Sequence, residues 1–298
     1  LIPEWGDIVV DYVNEIDDEL EIEQISDEEA YPFITWVGEE VDEAYYKAVM
    51  GIEINPGLDK SDFKIVYSPQ HGADNIPVRT CLKRLGYDIV PVLAQCAPDP
   101  DYTNTKSPNP EVDASYELAI KLAKEVDADV VAITDPDGDR LGVVAKHNGE
   151  YVLMSGNQSA AVYLEYILSQ RKEKGTLPDN AVMYNTIVTS DLGELVARNY
   201  GVDVEKTLTG FKFIGDKIRK YEKTHEKQFI FGYEESYGCV VEDFVRDKDA
   251  VQAVLLAAEC GNYYKKQGKD LIDVLNELYA KYGTFKESQI ALAKAIIQ

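Results

Sequence analysis

The chain has 298 residues, of which 45% are hydrophobic and 28% are charged, and its formal net charge is −24. This length suits two domains that each bury a core, and the composition is typical of a globular protein. The excess of carboxylates argues against nucleic acid or an anionic membrane surface as partner, since both require a basic face. The cysteines lack metal-ligand spacing, and neither a signal peptide nor a run of ~20 apolar residues is visible, so we expect a cytoplasmic protein.

The first fifty residues are acidic, with carboxylate runs at 17–19 and 27–29. Their pattern predicts helices and connections without a complete sheet. We expect residues 1–50 to be the remnant of an earlier domain and its linker. A first α/β unit over 51–151 and a second over 152–298 are predicted to follow.

Strands and helices alternate from residue 63 onwards. The predicted elements of the first unit are a strand over 63–67, a helix over 76–85, a strand over 88–93, a helix over 112–126, and strands over 129–134 and 141–146. Gly86 is expected to end the first of these helices. A proline-rich loop over 97–110 separates the second strand from the second helix.

The same order recurs in the second unit. Its predicted elements are a strand over 181–184, a helix from the cap Ser190 to Asn199, a strand over 202–208, a helix over 211–224 and a strand over 228–231. Segments 64–67 and 181–184 are similar, as are 86–90 and 201–205. The repeat predicts two tandem α/β units of similar topology, each a mainly parallel mixed sheet flanked by helices. Ligands are expected at the carboxyl ends of the strands.

An Asp-Pro-Asp-Gly-Asp-Arg motif follows the predicted strand over 129–134. In an extended segment, Asp135, Asp137 and Asp139 would alternate to one side. Clustered carboxylates repel one another unless a cation lies among them, and oxygen ligands favour Mg²⁺ or Ca²⁺. A divalent ion beside Arg140 is a suitable place for a phosphate.

Three other interpretations of this motif compete with a metal-binding turn. An EF-hand loop would need glycine and glutamate where the chain has Arg140 and Lys146, so it is excluded. A haloacid-dehalogenase-like phosphatase would use Asp135 as nucleophile, but usually has Thr or Val where Asp139 stands. An acidic turn without a function remains open.

A second polar loop, Gly232–Gly238, follows the strand over 228–231, where the repeat places the equivalent of the Asp motif. Glu234 and Ser236 alternate on one side, and a carboxylate with a hydroxyl can bind sugar hydroxyls. The two tyrosines of the loop could flank a ring or belong to the core.

Three further places carry candidate residues. Lys212 stands in the first turn of a helix, where it could face an anion that the helix N-terminus also attracts. Arg246 and Lys248 precede another helix, with Asp247 or Asp249 as its cap. His71 lies at the end of a strand, although a lone histidine is more often structural.

Together these motifs resemble the α-D-phosphohexomutases, in particular the phosphoglucomutase/phosphomannomutase enzymes. The resemblance rests on Asp-Pro-Asp-Gly-Asp-Arg, Thr-Gly-Phe-Lys, Gly-Tyr-Glu-Glu-Ser-Tyr-Gly and Arg-Asp-Lys-Asp-Ala in this order, and on Ser-Pro-Gln-His-Gly at 68–72. It extends from about residue 63 to the end of the chain. It implies part of a four-domain enzyme that moves phosphate between positions 1 and 6 of a hexose through a phosphoserine and a bisphosphorylated intermediate.

The resemblance also implies roles for individual residues. Mg²⁺ would be held by Asp135, Asp137 and Asp139. Supporting positions would be Arg140 and His71. The substrate would be bound by Thr209, Gly210, Lys212, Glu234, Ser236, Arg246 and Lys248.

The chain departs from the family in two respects. It has neither a Thr-Ala-Ser-His-Asn-Pro-like segment, which would carry the phosphoserine, nor an Arg-Pro-Ser-Gly-Thr-type phosphate loop. We therefore expect the central part of a mutase, inactive alone, with hexose phosphate, hexose 1,6-bisphosphate and the other mutase domains as partners. A ligand-binding or assembly module without chemistry and a metal-dependent phosphatase using Asp135 remain alternatives. The preference for glucose, mannose or pentose phosphate stays open.

Overall fold

The computed structural model describes residues 2–288, and residues 2–50 contain helices but no strand. The elements of this region are α1 (Pro3–Asn14), α2 (Asp27–Ala30), α3 (Glu39–Met50) and the 3₁₀ turns Glu19–Glu21 and Tyr31–Phe33. A capping box between Ser26 and Glu29 begins α2. Only α3 buries side chains, those of Tyr46 and Val49. The region is helical, as predicted, and joins the core at its end.

The first sheet has five strands. They are β1 (Lys64–Ser68), β2 (Asp88–Pro91), β3 (Val130–Thr134), β4 (Leu141–His147) and β5 (Glu150–Met154). Their spatial order is β2-β1-β3-β4-β5, in which β1 is parallel to β2 and β3, and β4 is antiparallel to both of its neighbours. The helices of this unit are α4 (Asn75–Arg84) and α5 (Glu117–Val126). Because β5 continues to Met154, the predicted boundary at residue 151 falls inside a strand of the first unit.

The second sheet has four strands. They are β6 (Ala181–Thr186), β7 (Asp203–Thr207), β8 (Gln228–Tyr233) and β9 (Cys239–Val240). The helices of this unit are α6 (Gly156–Glu173), α7 (Leu192–Asn199), α8 (Phe211–Thr224), α9 (Ala250–Lys265) and α10 (Leu271–Tyr282). The order β7-β6-β8-β9, with β6 parallel to β7 and β8 and with β9 antiparallel to β8, repeats that of the first four strands. This confirms the predicted pair of mixed α/β units.

One hydrophobic core joins the two units. Alternate residues of β1 (Ile65, Tyr67) and of β6 (Ala181, Met183) belong to the same buried cluster. Nearly every residue of α9 is buried, and this helix contacts α4, α6, β3 and β4. The other face of each sheet forms a separate cluster, with α5 on the first sheet and α8 on the second. The carboxyl ends of β3 and β8 therefore belong to units that pack against each other through this core.

Two local details differ from the sequence prediction. The helix expected over 112–126 begins as a 3₁₀ turn (Asp113–Tyr116) and becomes α-helical only at Glu117, because the buried Tyr116 hydroxyl donates back to the Pro110 carbonyl over 2.7 Å. Helix α7 has Asp191 at its cap position and not Ser190. Within residues 2–288, no helix has both the length and the apolar character needed to cross a membrane.

Candidate active site

Asp135, Asp137 and Asp139 lie in the turn between β3 and β4. Each offers one carboxylate oxygen to a group of ligand atoms that all lie within 4.8 Å of one another. The convergence arises from a turn and not, as predicted, from an extended segment, since Gly138 has a positive φ of 77°. The backbone N–H groups of Asp139 and Arg140 donate to Oδ1 of Asp135 over 3.1 and 2.9 Å, which fixes the turn.

Burial and mutual repulsion make it unfavourable for all three carboxylates of the Asp turn to be charged. The pKa of Asp135 is raised to about 7, mainly by burial and in part by the nearby Asp139 and Asp137 carboxylates, while the backbone N–H of Arg140 acts in the opposite direction. Nε of Arg140 lies 3.7 Å from Asp135 Oδ2 and 3.6 Å from Asp139 Oδ1, and Nη1 donates to Glu111 Oε1 over 2.9 Å. One guanidinium is thus shared among three carboxylates and cannot neutralise them all.

The carboxylate group fits a hard divalent cation. Oδ1 of Asp139 is buried and has no hydrogen-bond partner among residues 2–288, so it is available as a ligand. Carboxylate oxygens suit Mg²⁺, Ca²⁺ or Mn²⁺ better than softer metals. The residues that the sequence singled out could therefore bind a metal as a set.

The second polar loop lies between β8 and β9, in the position equivalent to the Asp turn. Its Glu234 is buried, and Oε1 accepts a hydrogen bond from the backbone N–H of Gly210 over 3.0 Å. Burial raises the pKa of Glu234, while that N–H and the Lys248 ammonium oppose the effect. Tyr233 belongs to the hydrophobic core, so of the two roles that the sequence left open for the tyrosines of this loop, Tyr233 has the structural one.

Ser236 does not share a side with Glu234 as the alternation predicted. Glu234 N–H donates to the Gly238 carbonyl over 2.9 Å, so the loop is a turn and not an extended strand. Ser236 and Glu235 instead line a cavity of about 570 Å³, together with Glu111. Oε2 of Glu235 accepts a hydrogen bond from the Thr186 hydroxyl over 3.0 Å.

Lys248 connects the two loops. Its Nζ lies 2.5 Å from Asp139 Oδ2 and 3.9 Å from Glu234 Oε2, with the side chain 12% exposed. The aliphatic part of the side chain passes against Gly238, where a Cβ would collide with it. Asp249, not Asp247, caps α9 by accepting from the backbone N–H of Gln252. A cation is therefore held between the candidate metal ligands and the second loop.

A larger cavity of about 770 Å³ lies beside Lys248 and is lined by further cations, including Lys212 and Arg246. Nη2 of Arg246 pairs with Oε2 of Glu222 over 2.7 Å. Lys212 is exposed and has no carboxylate within 4.0 Å among residues 2–288. Thr209 is exposed in the turn before α8. The predicted anion-binding residues thus lie around one cavity, on a chain that is strongly acidic as a whole.

His71 lies behind the Asp turn and not within it. Its Nδ1 contacts the Ala97 carbonyl over 2.7 Å, and its Nε2 is buried without a hydrogen-bond partner in the described part of the chain. The following Gly72 lies against Pro136, where a Cβ would clash with the backbone, and Ala73 N–H donates to the Pro136 carbonyl over 3.0 Å. The His-Gly segment therefore packs against the Asp turn and helps to fix its backbone.

Sequence reasoning did not single out three residues of this region. They are Tyr45, Asp74 and Glu111. Tyr45 donates to both carboxylate oxygens of Asp249 over 2.9 Å, and its distance along the chain from α9 left no sequence signal. Asp74 follows the His-Gly segment closely, and that proximity is the signal that could have drawn attention to it. The pKa of Asp74 is raised to about 7, mainly by burial and in part by the carboxylates of Asp249 and of the Asp turn.

Fold and site together define an α/β protein of two units of similar topology, with a candidate metal site and a polar acidic loop at equivalent strand ends. A family model described as phosphoglucomutase/phosphomannomutase, alpha/beta/alpha domain II, matches residues 43–149, and the corresponding domain III model matches residues 155–282. The chain belongs to the phosphoglucomutase/phosphomannomutase family. This confirms the resemblance found in the sequence.

Individual relatives agree with this assignment. The chain is 33% identical to a phosphoglucomutase of Staphylococcus haemolyticus over 95% of its own length and 51% of that protein. It is 32% identical to a phosphomannomutase of Mycoplasmoides pirum over 98% of its length and 52% of that protein. A crystal structure of a phosphoglucomutase/phosphomannomutase family protein from Burkholderia thailandensis shares its fold, with a TM-score of 0.62 and 20% identity over 80% of this chain and 46% of the other. The chain thus spans about half the length of its relatives.

Proposed function

We propose that this chain forms the metal-binding and sugar-recognising part of a phosphohexomutase that transfers phosphate between positions 1 and 6 of a hexose. The observation that supports it most directly is the position of Lys248, whose ammonium lies between Asp139 of the Asp turn and Glu234 of the second loop. A substrate at this place would meet a metal site on one side and a hydroxyl acceptor on the other. Membership of the phosphoglucomutase/phosphomannomutase family supports the proposal.

The metal is proposed to be Mg²⁺, held by Asp135, Asp137 and Asp139. When bound, it would supply charge neutralisation for a phosphoryl group during transfer. Arg140 lies within 4 Å of two of these carboxylates and is paired with Glu111, so its guanidinium would lie beside a phosphoryl group bound at the metal.

Substrate phosphate is proposed to contact Lys248, with Lys212 and Arg246 lining the adjoining cavity. With a net charge of −24, long-range attraction does not favour an anionic substrate, so these nearby cations must provide the binding energy. Lys248 would exchange its contact with Asp139 for a phosphate oxygen, and its aliphatic part already packs against Gly238 beside the site.

Sugar hydroxyls are proposed to bind Glu234, with Thr209 and Gly210 beside it and with Ser236 contributing from the neighbouring cavity. Glu234 is held by Gly210 N–H through one oxygen, which leaves Oε2 to accept from a hydroxyl. We further propose hexose 1- and 6-phosphates and the 1,6-bisphosphate as ligands, the other domains of a longer mutase as partners, and the cytoplasm as location. The relatives include both glucose and mannose enzymes, so the proposal extends to both sugars.

The proposed function is tested by metal binding and by turnover. Calorimetric titration of Mg²⁺ should show binding to the 298-residue chain that Asp137→Asn weakens at least tenfold, since a direct ligand is lost. Equal affinity of the two proteins would refute the metal site.

The isolated chain, supplied with glucose 1-phosphate and glucose 1,6-bisphosphate in a coupled assay, should form no glucose 6-phosphate, because it contains no serine motif to carry the phosphoryl group. Robust turnover that is abolished by Asp135→Asn would contradict this part and support direct catalysis by Asp135.

A further inference from the structure

Asp74 occupies a position where its side chain would normally cap a helix, but it does not do so. It stands at the N-cap of α4, and its carboxylate makes no capping hydrogen bond. The third residue of the helix is Pro77, which lacks the N–H that an N-cap side chain would most often bind. The carboxylate is therefore free for another contact.

That contact is with the Asp turn. Both oxygens of Asp74 lie against Gly138, at the place where any other residue would carry a Cβ. The two preceding residues fix this position of Asp74, since Gly72 lies against Pro136 and Ala73 N–H donates to the Pro136 carbonyl over 3.0 Å. The carboxylate of Asp74 is thus fixed against the backbone between two of the candidate metal ligands.

The carboxylate is also unsatisfied. Asp74 is 6% exposed, and its Oδ2 is buried with no hydrogen-bond partner among residues 2–288. The neighbouring Asp249, buried to the same degree, accepts hydrogen bonds from Tyr45 and Gln252. A buried acceptor without a partner is unfavourable and normally indicates a water or an ion at that place.

We propose that Asp74 is an outer carboxylate of the metal site, where its Oδ2 accepts a hydrogen bond from a water bound to the divalent ion at Asp135, Asp137 and Asp139. This inference rests on the metal site in the proposed function. Asp74 is not among the ligand atoms that lie within 4.8 Å of one another, so it contacts the ion through water and not directly. Mg²⁺ usually keeps several waters in proteins, and the groups that orient them contribute to affinity.

The test is Mg²⁺ calorimetry on the 298-residue chain with Asp74→Ala and Asp74→Asn. We expect Asp74→Ala to weaken binding about tenfold, with Asp74→Asn between it and the unaltered chain because the amide oxygen still accepts a hydrogen bond. The matched control is Asp216→Ala. Asp216 and Asp74 both line the cavity of about 770 Å³, but Asp216 is exposed, so its loss should change Mg²⁺ affinity less than about twofold. Unchanged binding in Asp74→Ala, or an equal loss in Asp216→Ala, would overturn the proposal.

Two further measurements separate this role from others. The number of waters on bound Eu³⁺, obtained from luminescence lifetimes in H₂O and D₂O, should be the same with and without Asp74. One additional water in Asp74→Ala would mean direct ligation and overturn the outer position.

Without metal, Asp74→Ala should unfold at the same temperature as the unaltered chain or higher, whereas a lower temperature would indicate a structural role instead. Absence of Mg²⁺ binding in the unaltered chain would refute the underlying metal site, a result distinct from any difference between the variants.

Discussion

At the scale of single residues, Lys248 would compete with a metal ion for the charge of Asp139. Its ammonium lies 2.5 Å from Oδ2 of Asp139, whose carboxylate belongs to the candidate metal site. Lys248→Met should therefore raise the Mg²⁺ affinity of the chain by about fivefold, equivalent to about 1 kcal/mol for a partly exposed ion pair. Calorimetric titration measures this directly.

The same substitution should lower the turnover of a complete mutase, because the proposed phosphate contact is lost. The matched control is Lys146→Met, which removes an ion pair with the exposed Asp127 at the far end of β4 and should leave Mg²⁺ affinity unchanged. A fall in Mg²⁺ affinity on removal of Lys248 would mean that the lysine supports the metal site and does not compete with it.

Glu234 is the residue of the second loop on which sugar recognition should depend most. Removing a buried acceptor of hydroxyl groups should cost on the order of 2–4 kcal/mol in the transition state, because the hydroxyls are left unpaired. We expect Glu234→Gln in a complete mutase to lower kcat/KM for glucose 1-phosphate and mannose 1-phosphate alike, while formation of the phosphoserine continues. Steady-state kinetics and phosphoserine quantification distinguish the two effects.

Ser236→Ala and Glu235→Gln serve as comparisons, since both residues line the neighbouring cavity. Glu235 is hydrogen-bonded to Thr186, so its loss should affect turnover less than the loss of Glu234. If Glu235→Gln is the most impaired variant, or if Glu234→Gln leaves both sugars unaffected, the assignment of Glu234 is wrong.

At the scale of secondary-structure elements, Glu205 of β7 forms hydrogen bonds and an ion pair with side chains of α8. Burial would raise its pKa, but hydrogen bonds from Lys227, Tyr221 and Lys217 outweigh that effect and lower the pKa to about 2. The three contacts measure 3.0, 2.8 and 3.0 Å. An unfolded glutamate titrates near pH ~4.3. Because the folded pKa is the lower one, this stabilisation is complete above that pH and is lost as the pH falls towards 2.

Glu205→Gln should accordingly reduce the free energy of unfolding by about 1.5 kcal/mol at pH 7, a low value for hydrogen bonds to a charged group because the cluster is partly exposed. The difference from the unaltered chain should persist down to about pH 5 and shrink between about pH 4.5 and 2. Urea unfolding at pH 7, 5 and 3 measures it, with the exposed Glu125→Gln as control. A difference that grows as the pH falls would contradict the assigned direction of the pKa shift.

At the scale of the whole molecule, α9 contacts strands of both sheets, so we expect the two units to unfold as one cooperative structure. Leu256 is 1% exposed in this helix and belongs to the cluster that includes residues of both sheets. Leu256→Ala should reduce the free energy of unfolding by about 2–5 kcal/mol, through lost transfer free energy and an unfilled cavity. Hydrogen exchange should rise together for the amides of β1 and β6.

A matched substitution on an outer cluster is Val131→Ala, which lies between the first sheet and α5. It should lower stability less because fewer atoms are removed. If Leu256→Ala increases exchange in only one sheet, the two units unfold independently and the shared core does not couple them.

The sequence alone determined the repeat, the order of the predicted strands and helices, and the position of both candidate loops. It did not identify β5, β9, α6 and α10, which the structure adds. Periodicity and capping signals are local, so helices such as 211–224 are identified without tertiary contacts. The equivalent positions of the Asp turn and the Glu234 loop also follow from local order, because similar strand–helix series fold into similar sheets. The family followed from motifs that are contiguous in the chain.

Only the tertiary structure decided which side chains meet. Lys248 reaches Asp139 from a segment more than a hundred residues later, and Asp74 reaches Gly138 through packing of the His-Gly segment on Pro136. The alternation that placed Glu234 beside Ser236 failed because closing hydrogen bonds turned the loop, and these depend on neighbours that a local pattern does not contain. Contacts between residues distant in sequence are set by the packing of the two sheets around α9, and packing is a property of the whole chain.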